Sequence, residues 1–451
     1  MGRCPECGSW NAFSESVEAG GDRRTVRAGP VPLTAVERKE GDRLDTGNQE
    51  INGVLGGGLM RGSSVLVGGE PGIGKSTLML QLCASVCTAG RVLYVSGEES
   101  AAQIRMRADR LGVDQERIEI LCQTDLDANF DVIRRVKPVL IIVDSVQTIR
   151  SAESGSAAGT VTQIKQATQR INDHVKAGDS CVLLIGHVTK EGFIAGPKVI
   201  EHIVDTVLYF DQADTEIRLI RASKNRFGST DEIGIFRMTT EGLMPVRDPA
   251  LLFLEHREGD LPAGVAVAPV YEGSRVLLVE IQSLVVPAKG GISRVYSERI
   301  DSRRVSRIAA VLEKHLGLPL SHLDIYINVA GGIRIDEVAV DLALAMALYS
   351  AKTDLRLPAR CAVFGEVSLA GEIRPVPHTD RRLKTAREMG FTSIVGPQVK
   401  EAGDQATGST RTGDRAIGAL KGYRAVTDLR QAARVLSKEL SKEGGDEGDS
   451  P

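Results

Sequence analysis

The run Gly69-Glu70-Pro71-Gly72-Ile73-Gly74-Lys75-Ser76 sets a lysine and a hydroxyl directly behind a glycine-rich loop. This is the pattern of a Walker A phosphate cradle. Glycine is needed there because successive N–H groups must turn inward around the phosphates, where a Cβ would block the approach. Lys75 is expected to reach the β- and γ-phosphates and Ser76 to ligate Mg²⁺, with Thr77 next in a helix whose positive N-terminus faces the nucleotide. A carboxylate, Asp144, closes the apolar run Val139-Leu140-Ile141-Ile142-Val143 and reads as the Walker B aspartate that holds the magnesium. Two further acids follow Val92-Leu93-Tyr94-Val95-Ser96-Gly97. Glu98, nearer the strand end, is the favoured group to orient the attacking water, with Glu99 in reserve; each has a plain alternative as a capping acid for a helix starting at Ser100-Ala101. His187, after Cys181-Val182-Leu183-Leu184-Ile185-Gly186, stands where a side chain could sense the γ-phosphate or could simply bond the sheet edge.

These groups share one requirement: several strands must end at a common edge. The apolar runs are those of strands buried on both faces, and amphipathic helices alternate with them. That order specifies an α/β domain with a mainly parallel sheet, whose ligands lie at the carboxyl ends of the strands.

At 451 residues the chain is long enough for two or three cores. A hydrophobic share of 42% with 25% charged is that of an ordinary soluble protein, and no apolar stretch approaches the ~20 residues of a membrane span. A cytoplasmic location is expected. The net charge is −3, so any nucleic-acid binding must come from a local basic face. Aromatic residues make up only 4%, and composition therefore advertises no base-stacking platform. Of seven cysteines, Cys83, Cys87, Cys122, Cys181 and Cys361 fall in apolar runs and read as reduced core thiols. Cys4-Pro5-Glu6-Cys7-Gly8 is different: it is half of a structural zinc site or a bystander pair, because zinc wants four ligands.

Six segments follow from composition and periodicity: 1–13 with the cysteine pair, a polar linker 14–46, the nucleotide domain 47–246, a linker 247–264, a second α/β or α+β domain 265–436, and a charged, Gly-rich tail 437–451 expected to be disordered. Residues 151–160 read as a mobile loop after the Walker B strand.

Several motifs together carry a family resemblance: Cys4-Pro5-Glu6-Cys7-Gly8-Ser9-Trp10-Asn11, Leu55-Gly56-Gly57-Gly58-Leu59, the Walker A loop, His187-Val188-Thr189-Lys190-Glu191-Gly192 and Lys224-Asn225-Arg226-Phe227-Gly228. Over nearly its whole length the chain resembles the bacterial RadA (Sms) family of RecA-like ATPases in DNA repair and recombination. The resemblance implies a RecA-like P-loop core followed by an α+β Lon-protease-like domain, with a truncated N-terminal zinc-finger remnant. It implies ATP and Mg²⁺ as ligands, a homo-hexameric ring, single-stranded and branched DNA with a RecA-type recombinase as partners, and branch migration as the work done. Zn²⁺ belongs to the set only if a second cysteine pair precedes Cys4 and Cys7, and the family pattern leads us to expect that the coding sequence extends upstream of Met1.

Lys224 and Arg226, two residues apart after the run Ile217 to Arg221, can point the same way from an extended backbone. In a ring such a pair reaches a neighbour's γ-phosphate as an arginine finger does, or else it is a solvated basic turn. Likeness to Lon centres on Gly365-Glu366-Val367-Ser368-Leu369-Ala370-Gly371-Glu372-Ile373. It puts Lon's serine near Val340 and its lysine near Asp380, neither of which can do that chemistry. The second domain is then a scaffold for hexamers and DNA, with Lys289, Arg294, Arg299, Arg303, Arg304 and Arg307 as a basic cluster. Lys190, Lys289, Arg294, Arg303 and Arg304 are the expected DNA contacts, salt-sensitive and indifferent to sequence. Two other functions compete with an ATP-driven motor: a Lon-type serine peptidase, disfavoured by Val340 and Asp380, and a nucleotide-switched DNA-binding module with little turnover.

Overall fold

A computed structural model describes residues 32, 34, 43–151, 159–187, 197–213, 215–255, 261–288, 293–398 and 422–443. Cys4, Cys7, Lys190 and Lys289 lie outside the described residues, as does the side chain of His187. The chain divides into two units, Met1–Asp42 and Arg43–Pro451, and everything below concerns the second.

That unit opens with β1 (Arg43–Leu44), α1 (Gln49–Leu55) and β2 (Leu59–Met60). Asn48 starts α1 by accepting from the N–H groups of Glu50 and Ile51, and Gly56 stops it at φ 82°, a left-handed conformation that costs glycine little. A nine-stranded sheet follows. Its strands are β3 (Ser64–Gly69), β4 (Val92–Ser96), β5 (Ile118–Leu121), β6 (Leu140–Asp144), β7 (Cys181–His187), β8 (Thr206–Gln212), β9 (Ile217–Asn225), β10 (Ile233–Thr239) and β11 (Gly242–Pro245). They lie in the order β11-β10-β9-β8-β3-β7-β6-β4-β5. The six from β8 to β5 are parallel, as the alternation of strands and helices predicts. β9, β10 and β11 add an antiparallel edge.

Helices α2 (Lys75–Val86), α3 (Ala101–Arg110), α4 (Leu126–Val136), α5 (Val161–Lys176) and α6 (Pro197–Ile200) connect the parallel strands. Two separate apolar clusters pack against the sheet, one including Val65, Val67 and α2, the other Leu66, Leu93 and α5. With both faces covered, β3, β4 and β6 are buried at every residue.

The second sheet has seven strands: β12 (Val265–Glu272), β13 (Arg275–Pro287), β14 (Val295–Ser297), β15 (Leu323–Val329), β16 (Cys361–Val363), β19 (Ser393–Pro397) and β20 (Tyr423–Val426), with β17 (Glu366–Val367) and β18 (Ile373–Arg374) as a separate hairpin. The order β14-β15-β13-β12-β16-β19-β20 mixes parallel and antiparallel pairs. Among the described residues four helices pack with it: α7 (Ser302–Leu316), α8 (Asp341–Thr353), α9 (Thr379–Glu388) and α10 (Leu429–Glu443). From Leu342 to Leu348 every residue of α8 is 0% exposed, so this helix, apolar all round, is the central one.

Three expectations need correction. The stretch 247–264 is not a free tether, because Ala250, Phe253 and Leu261 within it are buried. A single core takes Ala213, Ile217, Leu219, Ile233 and Ile235 from the nucleotide domain together with Phe253, Ala266, Ala268 and Leu277. Ion pairs add to it, between Arg221 and Glu272 and, at 2.9 Å, between Arg275 and Glu50. The tail is helical to Glu443, six residues beyond Ser437, because an amphipathic period continues past the point where composition turns polar. Cys122 is exposed, whereas Cys83, Cys87, Cys181 and Cys361 are buried thiols.

Candidate functional site

The strand–loop–helix order puts the cradle at the carboxyl end of β3. Gly69, Gly72 and Gly74 have φ of 157°, 77° and 115°, and the last two are conformations that disfavour other residues. A Cβ on Gly74 would come within 2.5 Å of Met238 Cε, a methyl at the end of a flexible side chain that can move, so it is the backbone shape that calls for glycine there. Helix α2 begins at Lys75 with no side-chain cap, which leaves the N–H groups of its first turn for an anion. The loop is braced from outside, as the buried Arg218 on β9 donates from Nε to the Ile73 carbonyl at 3.1 Å. Glu70, Pro71 and Gly72 are exposed at its tip, and Ser76 and Thr77 are half-buried behind it.

Lys75 is 4% exposed and folds back on its own loop, donating from Nζ to the carbonyls of Gly69 at 2.7 Å and Glu70 at 2.9 Å. Burial pushes its ammonium down from 10.5 to about 8, partly opposed by the negative charges of Asp144, Glu98 and Glu70. Those three carboxylates therefore lie near enough for their charge to act on the amine. Their convergence follows from register: Gly69 lies beside His187, and Ser96 beside Asp144, so β3, β7, β6 and β4 end at one edge.

Asp144 is itself buried and accepts at 2.6 Å from the hydroxyl of Tyr94, which is also buried. Sequence reasoning passed over this tyrosine. Tyr94 sits two residues before Ser96 on the neighbouring strand, so the pairing of β4 with β6 was the only signal that could have found it. Glu98 is exposed and accepts from the Ser145 hydroxyl. Glu99 is bound differently, in an ion pair with Arg107. The helix cap falls to neither acid, since Ser100 caps α3 in a reciprocal bond with Gln103. An exposed Glu98 beside the cradle and a Glu99 tied to α3 are the arrangement in which Glu98 can reach water at the site.

Lys224 and Arg226 lie elsewhere. Asn225 pairs with Thr206, and Thr206 with Val65. That is the end of β3 opposite the cradle, roughly 13 Å of strand away from Gly69. Lys224 Nζ donates to the carbonyls of Glu201 at 2.8 Å and Val204 at 2.6 Å, and Arg226 Nη1 pairs with Asp205 Oδ1 at 3.1 Å. Burial first, and then the charge of Arg226, holds the Lys224 ammonium below its ordinary range. The segment is anchored to the rest of its motif set: Gly228 and Gly56 approach so closely that a Cβ on either would lie 2.9 Å from the other's Cα. Arg43 ties the same place together, donating to the carbonyls of Leu55, Gly58 and Phe227.

In the second domain Val340 is 0% exposed in a 3₁₀ turn before α8, and Asp380 is exposed on the first turn of α9. One cation of α9, Arg382, is fully buried and bidentate to Glu337 at 2.9 and 2.6 Å. Among the expected DNA contacts, Arg294 and Arg303 are exposed. Arg304 is a correction: its guanidinium donates to the carbonyls of Glu337 at 2.7 Å and Asp336 at 2.6 Å and lies 3.7 Å from the buried Asp341. It is spent on the fold and not offered to phosphate. Arg307 shares that acid at 3.0 Å, and burial raises the Asp341 carboxyl above its ordinary value despite both arginines. Among the described residues no group of three or more His, Cys, Asp or Glu is placed to hold a metal, and no helix is long and apolar enough to cross a membrane.

A glycine cradle at the end of a central parallel strand, with a buried lysine and a buried carboxylate beside it, defines a P-loop ATPase. A family model described as "AAA domain" matches residues 32–192, and one described as "subunit ChlI of Mg-chelatase" matches residues 298–400. The chain is 52% identical over 404 residues to the DNA repair protein RadA of Treponema pallidum, covering 88% of each chain. Against the DNA repair protein RadA of Halalkalibacterium halodurans and that of Bacillus subtilis it is 44% identical, covering 88% of this chain and 89% of theirs. The chain belongs to the RadA family.

Proposed function

We propose that this protein is an ATP-driven DNA repair and recombination motor that works in the cytoplasm as a homo-hexameric ring on single-stranded DNA, driving branch migration beside a RecA-type recombinase. In this scheme Gly69 to Thr77 cradle the nucleotide, Lys75 bears on the transferred phosphoryl, Ser76 and Asp144 hold Mg²⁺, and Glu98 orients water. The buried amine, the uncapped helix start and the glycine conformations suit a polyphosphate. His187, at the end of β7 between β3 and β6, is a γ-phosphate sensor in the same scheme.

One observation carries the ring. Lys224 and Arg226 are at the opposite end of the sheet from their own cradle, so a role in hydrolysis requires a neighbour's nucleotide. The second domain is a Lon-like scaffold without peptidase activity, a view supported by an apolar, buried Val340 at the nucleophile's place. Arg294 and Arg303 are its DNA contacts, and Lys190 and Lys289 join them.

Phosphate release with and without single-stranded DNA is the test. Stimulation by DNA, abolished by Lys75→Ala in a variant of unchanged circular dichroism, is the expected result. A slow rate indifferent to DNA would instead mark a nucleotide-switched binding module.

A further inference from the structure

Composition gave no hint of a stacking surface, yet strand pairing builds one. Tyr296 on β14 is in register with Tyr326 on β15, and Tyr326 with Leu284 on β13. All three point away from the core and are 43%, 39% and 57% exposed. The two rings are stacked, centroids 4.6 Å apart and planes within 9°. Among the described residues β14 is the terminal strand of its sheet, and the stack ends at Tyr296. The rings line a groove of about 910 Å³ that also includes Ser297, Arg299 and Asn328.

The surroundings are polar and carry charges of both signs, arginines among them. The next row of the same face is Gln282 with Asn328, bonded at 2.9 Å, and the row on the other side holds Asp324, whose carboxylate accepts the backbone N–H of Arg294. Arg294, bonded to the Tyr296 side chain, and Arg299, in the groove, are exposed, as is Arg303, one residue past the Ser302 that lines the groove. The opposing acids are Glu298, Asp301 and Asp324, with Glu255 and Glu280 accepting from Gln282 at 3.0 and 2.8 Å, and Asp301 accepts from the backbone N–H of Arg303 as the cap of α7. Flat aromatic faces with arginines at their margin match a chain of alternating bases and phosphates.

We infer that the Tyr296–Tyr326 stack is a base-stacking shelf for single-stranded DNA, onto which an unpaired base continues the ladder while its flanking phosphates meet Arg294, Arg299 and Arg303. The inference rests on the DNA-binding role proposed above and adds what selects single strands: bases in a duplex are stacked on one another and have no free face for Tyr296.

The test measures binding of the full chain to labelled oligothymidine, to an abasic strand of equal length and to duplex, over a range of salt. Tyr296→Ala should weaken oligothymidine binding roughly tenfold, within the range set by loss of one stacked base. It should leave abasic binding and the salt slope unchanged, and Tyr296→Phe should bind as wild type. Arg303→Ala should weaken both strands alike and reduce the salt slope by about one. Oligothymidine affinity unchanged in both Tyr296→Ala and Tyr326→Ala would overturn the shelf while leaving the cationic contacts standing. A change in particle mass by light scattering, with equal losses on both strands, would overturn it in favour of a contact between copies. Failure of the wild-type chain to bind any strand would remove the DNA role itself.

Discussion

Replacing Arg382 by methionine tests whether the second domain uses its buried cation as scaffold. Arg382 is 1% exposed. It donates to both Glu337 oxygens, to the Pro269 carbonyl at 2.5 Å and to the Pro377 carbonyl at 3.2 Å, and it lies over the Tyr271 ring at 5.9 Å. Methionine fills much of the volume but offers no donor, so among the described residues Glu337 keeps only the Tyr271 N–H, at 2.7 Å, and the Pro269 carbonyl loses its arginine. Breaking one side of a buried pair costs about 3–5 kcal/mol. Spread over the unfolding entropy of a cooperative unit of roughly 400 residues, Arg43–Pro451, that lowers Tm by on the order of 5 °C. Urea or thermal unfolding followed by circular dichroism measures it. The double variant Arg382→Met with Glu337→Gln should recover at least about 2 kcal/mol relative to the sum of the singles. A loss under about 1 kcal/mol for Arg382→Met, or strict additivity in the double variant, would refute the argument, because a cation kept only for chemistry is dispensable to the fold.

Nucleotide affinity should fall above about pH 8: the free Lys75 ammonium titrates at about 8, phosphate restores its proton, and binding therefore takes up a proton there. Titration calorimetry should show roughly a tenfold loss by about pH 9, and a flat profile in wild type would sink the assignment of Lys75. Lys224→Ala should lower DNA-stimulated hydrolysis, and mixing it with Lys75→Ala subunits should restore part of the rate, because some interfaces then pair an intact cradle with an intact finger; full activity in Lys224→Ala and Arg226→Ala alone speaks against a role between subunits. Arg304→Ala should destabilise the chain by about 2–4 kcal/mol in chemical unfolding, whereas the exposed Arg303→Ala should stay within about 0.5 kcal/mol. No nucleotide condition should yield cleavage of casein, and ATP-dependent cleavage surviving removal of contaminating proteases would refute the scaffold.

The cradle was legible because its chemistry is local: Gly69 to Ser76 are consecutive, and Asp144 and Glu98 each close an apolar run. Tyr94 and Arg218 were not, since each meets its partner only through strand register, Tyr94 at Asp144 and Arg218 at Ile73, far along the chain. The same limit hid the pairing of Tyr296 with Tyr326, two of few aromatics that a flat composition disguises. Basic residues misled in the opposite way. Arg303 and Arg304 are neighbours in a helix, but one faces solvent and the other the Asp336–Glu337 carbonyls, a difference that charge counting cannot register.

The merged core has a mechanical meaning. Strands β9 and β10 bury Ile217, Leu219, Ile233 and Ile235 in the same apolar mass as β12, β13 and α8, and interiors of this density transmit strain and hardly yield. Among the described residues, a chain built this way has no elbow between its two domains. A tug on β13 is felt as a tilt of the sheet that ends in the cradle, so strain on one domain is passed to the other and not absorbed at a hinge between them.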